Sequence, residues 1–335
     1  MAQATAESAS AQYRKSIVID ATAPILVNDE DWPKWHQGGV TCAFATVTST
    51  RGGASMPNVV TSIASWLARI RRNPDRMLLA EGVADIERAK REGKLGVVFH
   101  FQNGTPVEYD LNLLEAYYRL GVRVIQLTYN VKNQIGDGCL ERTNAGLSDL
   151  GVAAIKEMNR LGILVDLSHT GEQTTLDAMD VSTKPCVFTH ANAKAICDHP
   201  RNLSERQMRR LADVGGVMGL NGFPAFVKAG KAAPTVDDLL DHLDYIVKKI
   251  GIDHAGLGLD YFHASEADYQ KRLVSGEWKA GEYPPPPWNY PQGIDDASRL
   301  GAIAPAMARR GYSEEDIMKV VGGNYLRVMR SVWQA

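Results

Sequence analysis

Residues 162–190 read "GILVDLSHTGEQTTLDAMDVSTKPCVFTH". An apolar, β-branched run (162–167) leads into a segment of helical periodicity (171–180), and a second β-rich run follows (185–189). A polar group ends each run: Ser168 and His169 after the first, Thr189 and His190 after the second. This is a strand–helix–strand unit whose strands are buried on both faces, the pattern of a parallel sheet.

The unit repeats along the chain. Further strands are predicted near 16–20, 39–47, 95–101, 122–127, 215–221 and 255–260. Amphipathic segments separate them at 58–72, 82–92, 112–120, 148–160, 204–213 and 235–250, as in Leu239, Leu240, Leu243, Ile246 and Val247. Eight strands alternating with helices predict an α/β fold, a (β/α)8 barrel formed by one domain over 1–335. An open doubly wound sheet would call for a glycine-rich phosphate turn after an early strand, and neither GxGxxG nor GxxxxGK[ST] is present.

Residues 261–293 stand outside the repeat. They are polar and turn-rich, and include "GEYPPPPWNYP" (281–291), a stiff proline run with Tyr283, Trp288 and Tyr290 as apolar surface. Because this insertion follows strand eight, it is either an external connector or a lid over the barrel mouth. Two closing helices are expected at 294–311 and 314–330.

Composition removes several functions. The net charge is −2, with 44% apolar and 23% charged residues, which gives nucleic acid no basic face to bind. The runs "RIRR" (69–72) and "RQMRR" (206–210) fall in helical patterns and read as solvated faces. Cys42, Cys139, Cys186 and Cys197 have no CxxC spacing, and Cys42 and Cys186 read as buried thiols. No stretch approaches the ~20 apolar residues of a membrane span. The first residues lack a hydrophobic signal core, which suits a cytoplasmic chain or a periplasmic one whose signal has been removed.

In a barrel, chemistry gathers where the strands end. Those positions carry Asp20 and Thr22; His100, Gln102 and Asn103; Thr128, Tyr129 and Asn130; Asp166, Ser168 and His169; Thr189, His190 and Asn192; Asn221; and Asp260. His169 and His190 end consecutive strands, so their imidazoles can share one zinc or act as an acid/base pair. His36, His242 and His263 lie in polar, surface-like contexts, and His254 precedes strand eight at the stability end. Arg201, in "CDHPRNLS", has the fork geometry that captures a carboxylate.

Five segments, "QLTYN" (126–130), "GLSDLGVAAIKEMNRLGILVDLSHTG" (146–171), "FTHANAKAICDHPRNLS" (188–204), "GLGLD" (256–260) and "GGNYLRVM" (322–329), carry a resemblance spanning about 16 to 331. They resemble the renal, or membrane, dipeptidase family of the amidohydrolase superfamily. The resemblance implies a (β/α)8 hydrolase that cleaves dipeptides and related amides with two zinc ions, often as a homodimer. It implies second-metal ligands at His169 and His190, a carboxylate-binding Arg201, and an acid/base Asp260. The family's His-x-Asp pair falls on Thr22 and Pro24, its bridging Glu on Gln102, and a substrate-contacting His on Tyr129.

These departures remove the first metal. Pro24 has no side-chain donor, and a neutral Gln102 cannot offset two dications about 3.5–4 Å apart. The expectation is one metal at most, on His169 and His190, or a metal-free pocket. Catalysis is then assigned to Asp260, His169 and His190, and substrate contact to Arg201, Tyr129, Gln102 and Asn130. Three functions stay open: a dipeptidase-like hydrolase on a small carboxylate-bearing substrate, a metal-independent lyase or isomerase, and a non-catalytic binding protein.

Overall fold

The computed structural model describes residues 4–48, 54–230 and 233–333, so the extreme ends of the expected 1–335 domain lie outside the described residues. Nine parallel strands are found among them. They are β1 (Ile19–Ala23), β2 (Cys42–Thr46), β3 (Met77–Leu79), β4 (Leu95–Phe101), β5 (Val122–Gln126), β6 (Leu164–Asp166), β7 (Val187–Phe188), β8 (Val217–Leu220) and β9 (Ala255–Leu257). Eight pair in the order β1-β2-β4-β5-β6-β7-β8-β9, with helices between them, and this is the (β/α)8 barrel expected from the repeat. Beyond β9 the ring closes onto β1, where Asp260 N donates to Thr22 O at 3.2 Å and Leu259 N to Asp20 Oδ1 at 2.9 Å.

Three details differ from expectation. The first strand sits later than 16–20 and runs through "ATA", because Ala21, Thr22 and Ala23 are fully buried against β2. Thr22 is therefore inside the barrel wall, and the chain turns only at Pro24–Val27. β3 carries no strand signal in its sequence. It lies along the first residues of β4, pairing Met77 with Leu95 and Leu79 with Val97. Finally, the closing helices are interrupted: a 3-10 turn (Ala297–Ala302) precedes Ile303–Arg309, and a π turn (Lys319–Gly323) splits Glu314–Met318 from Asn324–Val332.

Two groups of apolar residues make the core. One fills the barrel bore with Ile19, Cys42, Phe44, Val98, Val124, Leu164, Val187, Val217 and Tyr325. The other lies between strands and helices. Cys42 and Cys186 are buried free thiols, as expected. His242 does not lie at the surface: on the inner face of Val236–Ile250 it accepts from Ala193 N (3.1 Å) and its Nε2 meets Val227 O (2.8 Å). The helix's apolar periodicity includes position 242, so the imidazole is buried with both nitrogens satisfied.

Strand ends are brought together by close backbone approach. A Cβ on Gly258 would lie 1.8 Å from Thr189 O, and one on Gly219 2.2 Å from it. Only glycine lets the β9 exit pass this near to the residue before His190.

Candidate active site

His169 and His190 leave β6 and β7 and meet over the barrel mouth, Nε2 to Nε2, at 2.9 Å. The other nitrogen of each ring fixes its tautomer. Asn130 donates through Nδ2 to Glu277 O and to Tyr283 Oη (3.0 Å each), which turns its Oδ1 toward His169 Nδ1 at 2.7 Å. His169 therefore carries its hydrogen on Nδ1.

The same reasoning applies to His190. Its Nδ1 lies 2.9 Å from Thr22 Oγ1 and 2.7 Å from Thr189 Oγ1. Thr22 gives its hydroxyl hydrogen to Ala21 O (2.6 Å) and Thr189 gives its own to Asp166 Oδ2 (2.6 Å). Both hydroxyls thus accept from His190 Nδ1–H. Two bare Nε2 lone pairs are left facing each other, an arrangement that repels unless one positive charge lies between them. Burial, and then the nearby Arg201 charge, push both imidazoles well below their ordinary pKa, so a proton is disfavoured there.

Asp260 approaches from the exit of β9, with Oδ2 3.9 Å from His190 Nε2 and 3.5 Å from Asn221 Nδ2. Burial pushes its carboxyl up to about 7, against the lowering field of Arg201. Asn130, His169 and Asp260 all have positive φ (61°, 60° and 55°), three of the five non-glycine residues with this backbone among the described residues. Such backbone strain concentrates at functional sites.

Beneath the imidazoles, Asp166 receives His100 Nε2 (3.0 Å), Ser168 N (3.0 Å), Thr189 N (3.0 Å) and Thr189 Oγ1. These bonds outweigh its burial and hold the carboxyl well below the usual range. His100, Asp166 and Thr189 were legible as strand-end polar residues, but their linkage into a chain that ends on His190 was not.

Above lies a cavity of about 460 Å³. Gln102, Tyr129, His169 and Asp260 line its floor beside Pro24, and the Tyr129 ring stacks on His169 at 4.0 Å. Phe223, Phe226, Phe262, Trp278 and Tyr283 line its walls, together with Arg272. Arg201 and Asn130 are not among the lining residues. Arg201 is 2% exposed, donates through Nη2 to His190 O (3.1 Å), and faces the Phe226 ring. Trp278 and Tyr283, from the 261–293 insertion, stack at 4.4 Å, and Trp278 Nε1 donates to Tyr129 Oη (3.2 Å). The insertion also forms a helix, Glu266–Val274, which the proline-rich composition did not suggest.

The donor set decides what this site can hold. Thr22's hydroxyl is committed to Ala21 O, Pro24 has no side-chain donor, and Gln102 offers only a neutral amide, so these three positions supply neither a carboxylate nor an imidazole to a metal. The Nε2 atoms of His169 and His190 are the imidazole donors left open here, with Asp260 Oδ2 3.9 Å from His190 Nε2. Among the described residues no three His, Cys, Asp or Glu side chains converge closely enough to enclose a metal unaided. Nor is any helix among them long and apolar enough to cross a membrane.

Comparison with known proteins places this geometry among relatives. Residues 11–270 and 287–335 match the model of the membrane dipeptidases, peptidase family M19. A crystal structure of an amidohydrolase from Pseudomonas aeruginosa superposes with a TM-score of 0.87 at 32% identity, covering 97% of this chain and 99% of that one. The Claviceps purpurea dipeptidase tcpJ is 31% identical over 260 residues, 77% of this chain and 56% of its own. A Klebsiella pneumoniae protein of the pqqA 5′ region is 30% identical over 274 residues, 79% and 92% respectively. The chain spans about half the length of most of the curated dipeptidases it matches.

Proposed function

The chain belongs to the membrane dipeptidase family of hydrolases, and on that premise we propose that it hydrolyses the amide bond of a small, carboxylate-bearing, dipeptide-like substrate with at most one metal ion. The observation that carries this reading is the pair of bare Nε2 atoms, 2.9 Å apart, beside the Asp260 carboxylate.

A single divalent ion on His169 and His190 would supply a polarised water at near-neutral pH. The remaining work falls to side chains. Asp260, with a carboxyl near 7, takes a proton from the attacking water and returns it to the leaving amine. Tyr129 buttresses the His169 ring by stacking, while Asn130 and the two threonines hold both imidazoles in the tautomer that exposes Nε2. Gln102 offers its amide to the substrate from the cavity floor. Arg201 and Arg272 add the positive charge that favours an acid, and the 261–293 insertion closes the cavity as a lid that excludes water.

The test is turnover of a panel of dipeptides and N-acyl amino acids by the purified full chain, before and after chelation and with zinc restored. Hydrolysis should appear, and Asp260→Asn should lower kcat by about 10²–10⁴-fold. No cleavage under any metal condition would refute the reading.

A second reading is favoured by the neutral groups at Thr22, Pro24 and Gln102: metal-independent proton abstraction beside a carboxylate, giving elimination or epimerisation. Deuterium uptake from heavy water at the carbon next to the acid, without amide cleavage, would select it.

A further inference from the structure

One charged side chain of the cavity wall comes from the insertion rather than from the barrel. Arg272 lies in the last turn of Glu266–Val274 and lines the same cavity as Gln102, His169 and Asp260. Its guanidinium pairs with the buried Glu277 and sits over the Phe262 ring (5.2 Å) and the Trp278 ring (4.9 Å). Packing between two rings restricts the long side chain, so little rotamer freedom is lost when it meets a ligand.

The other arginine near the reacting groups is differently placed. Arg201 is buried behind His190, bonded to its carbonyl, and is not among the residues that line the cavity. The cation that a ligand in the cavity meets is therefore Arg272. Arg272, Glu277, Trp278 and Tyr283 all fall within 271–286, the internal stretch outside the match to the dipeptidase family. The stretch that the family match leaves out thus brings both the charge and two of the rings.

We propose that Arg272 reads an anionic group of the substrate while the rings of Phe223, Phe226, Phe262, Trp278 and Tyr283 take an aryl or bulky apolar group, so that the cavity selects arylalkyl acids over small polar dipeptides. This rests on the reading of the cavity as the substrate site and adds its substrate class. A charge-assisted contact in a site partly shielded from water carries about a tenfold or greater preference for an anion over its neutral isostere.

The test uses non-hydrolysable probes on the full chain: 4-phenylbutanoate, the neutral 4-phenylbutan-1-ol, and hexanoate, each titrated calorimetrically. The wild type should bind 4-phenylbutanoate about tenfold or more tightly than the alcohol, and about tenfold or more tightly than hexanoate. Arg272→Met should bring the acid-to-alcohol ratio within about threefold of one and leave the preference for the aryl group in place. Glu277→Gln, which keeps Arg272 and removes its partner's charge, should widen that ratio by about threefold or more, and it decides the matter if the Met variant does not fold. An acid preference absent from the wild type, kept in Arg272→Met, or unchanged or narrowed in Glu277→Gln overturns the assignment of Arg272. Equal binding of 4-phenylbutanoate and hexanoate overturns the aryl part. No turnover enters these measurements, so a failure to hydrolyse amides refutes the proposed activity alone.

Discussion

Replacing Asp166 by Asn removes one charge and leaves the shape, and its effect should travel through Thr189 to Nε2 of His190. The Asn oxygen can keep the two backbone donors, Ser168 N and Thr189 N, both at 3.0 Å from Oδ1. Its NH₂ then faces His100 Nε2 and Thr189 Oγ1, which both donated to the carboxylate. His100 can adapt, because its Nδ1 is buried without a hydrogen-bond partner and can take the ring's hydrogen. Thr189 must turn its hydroxyl hydrogen elsewhere, and the nearest acceptor is His190 Nδ1 at 2.7 Å. His190 then carries its hydrogen on Nε2, aimed at His169.

Two bonds to a buried carboxylate are lost, each worth about 1.5–3 kcal/mol, and neutral bonds return part of that, for a net cost of about 3 kcal/mol. Scaling unfolding entropy to 335 residues, this lowers the melting temperature by about 4 °C. Asp166's carboxyl is held low in the fold, so its contribution is present above about pH 4 and fades as the pH falls further. The assay is long-range proton–nitrogen NMR of the histidine rings, with a thermal melt as companion. Wild-type His190 should show a protonated Nδ1, and the Asn variant a protonated Nε2. The same His190 tautomer in both proteins would refute the relay.

Two further outcomes follow from the barrel itself. Gly258→Ala drives a Cβ to 1.8 Å from Thr189 O, so backbone must move; folded yield should collapse or activity fall by more than tenfold, and a wild-type melt with wild-type kcat/KM would contradict the close approach. Asp20 is fully buried, and that burial pushes its carboxyl up to about 6 against the donors Trp35 Nε1 and Leu259 N. The folded state thus holds this proton more tightly than the unfolded chain, and stability falls as the pH rises from about 4 to 6, by about 3 kcal/mol at 1.36 kcal/mol per unit. In Asp20→Asn that loss should vanish, so paired melts at pH 4.5 and 7 should show the variant gaining on the wild type; a pH-independent gap would exclude it.

Much of the architecture could be read in advance because buried parallel strands are written as continuous apolar runs. Leu95–Phe101 was legible residue for residue. Met77–Leu79 was not, being three residues without β-branching whose pairing with β4 is decided by tertiary contact. "ATA" after Asp20 looked like a loop because small residues carry no periodicity, yet it is packed inside the wall. His169, His190 and Asp260 stood out because each ends a strand. The tautomer locks did not, since they join Asn130 to Tyr283 and Thr22 to His190 across 153 and 168 residues. The wall built by Arg272, Trp278 and Tyr283 was hidden for a different reason: a proline-rich insertion shows no periodicity that says which face it turns inward.

The central claim is that Thr22, Pro24 and Gln102 leave room for one metal at most. Its most direct measurement is elemental analysis of the full chain after dialysis against excess zinc and removal of loosely bound ion. No more than one zinc per chain should be found, lost together with hydrolysis in a His169→Ala, His190→Ala double variant. Two tightly held zinc ions per chain would contradict it.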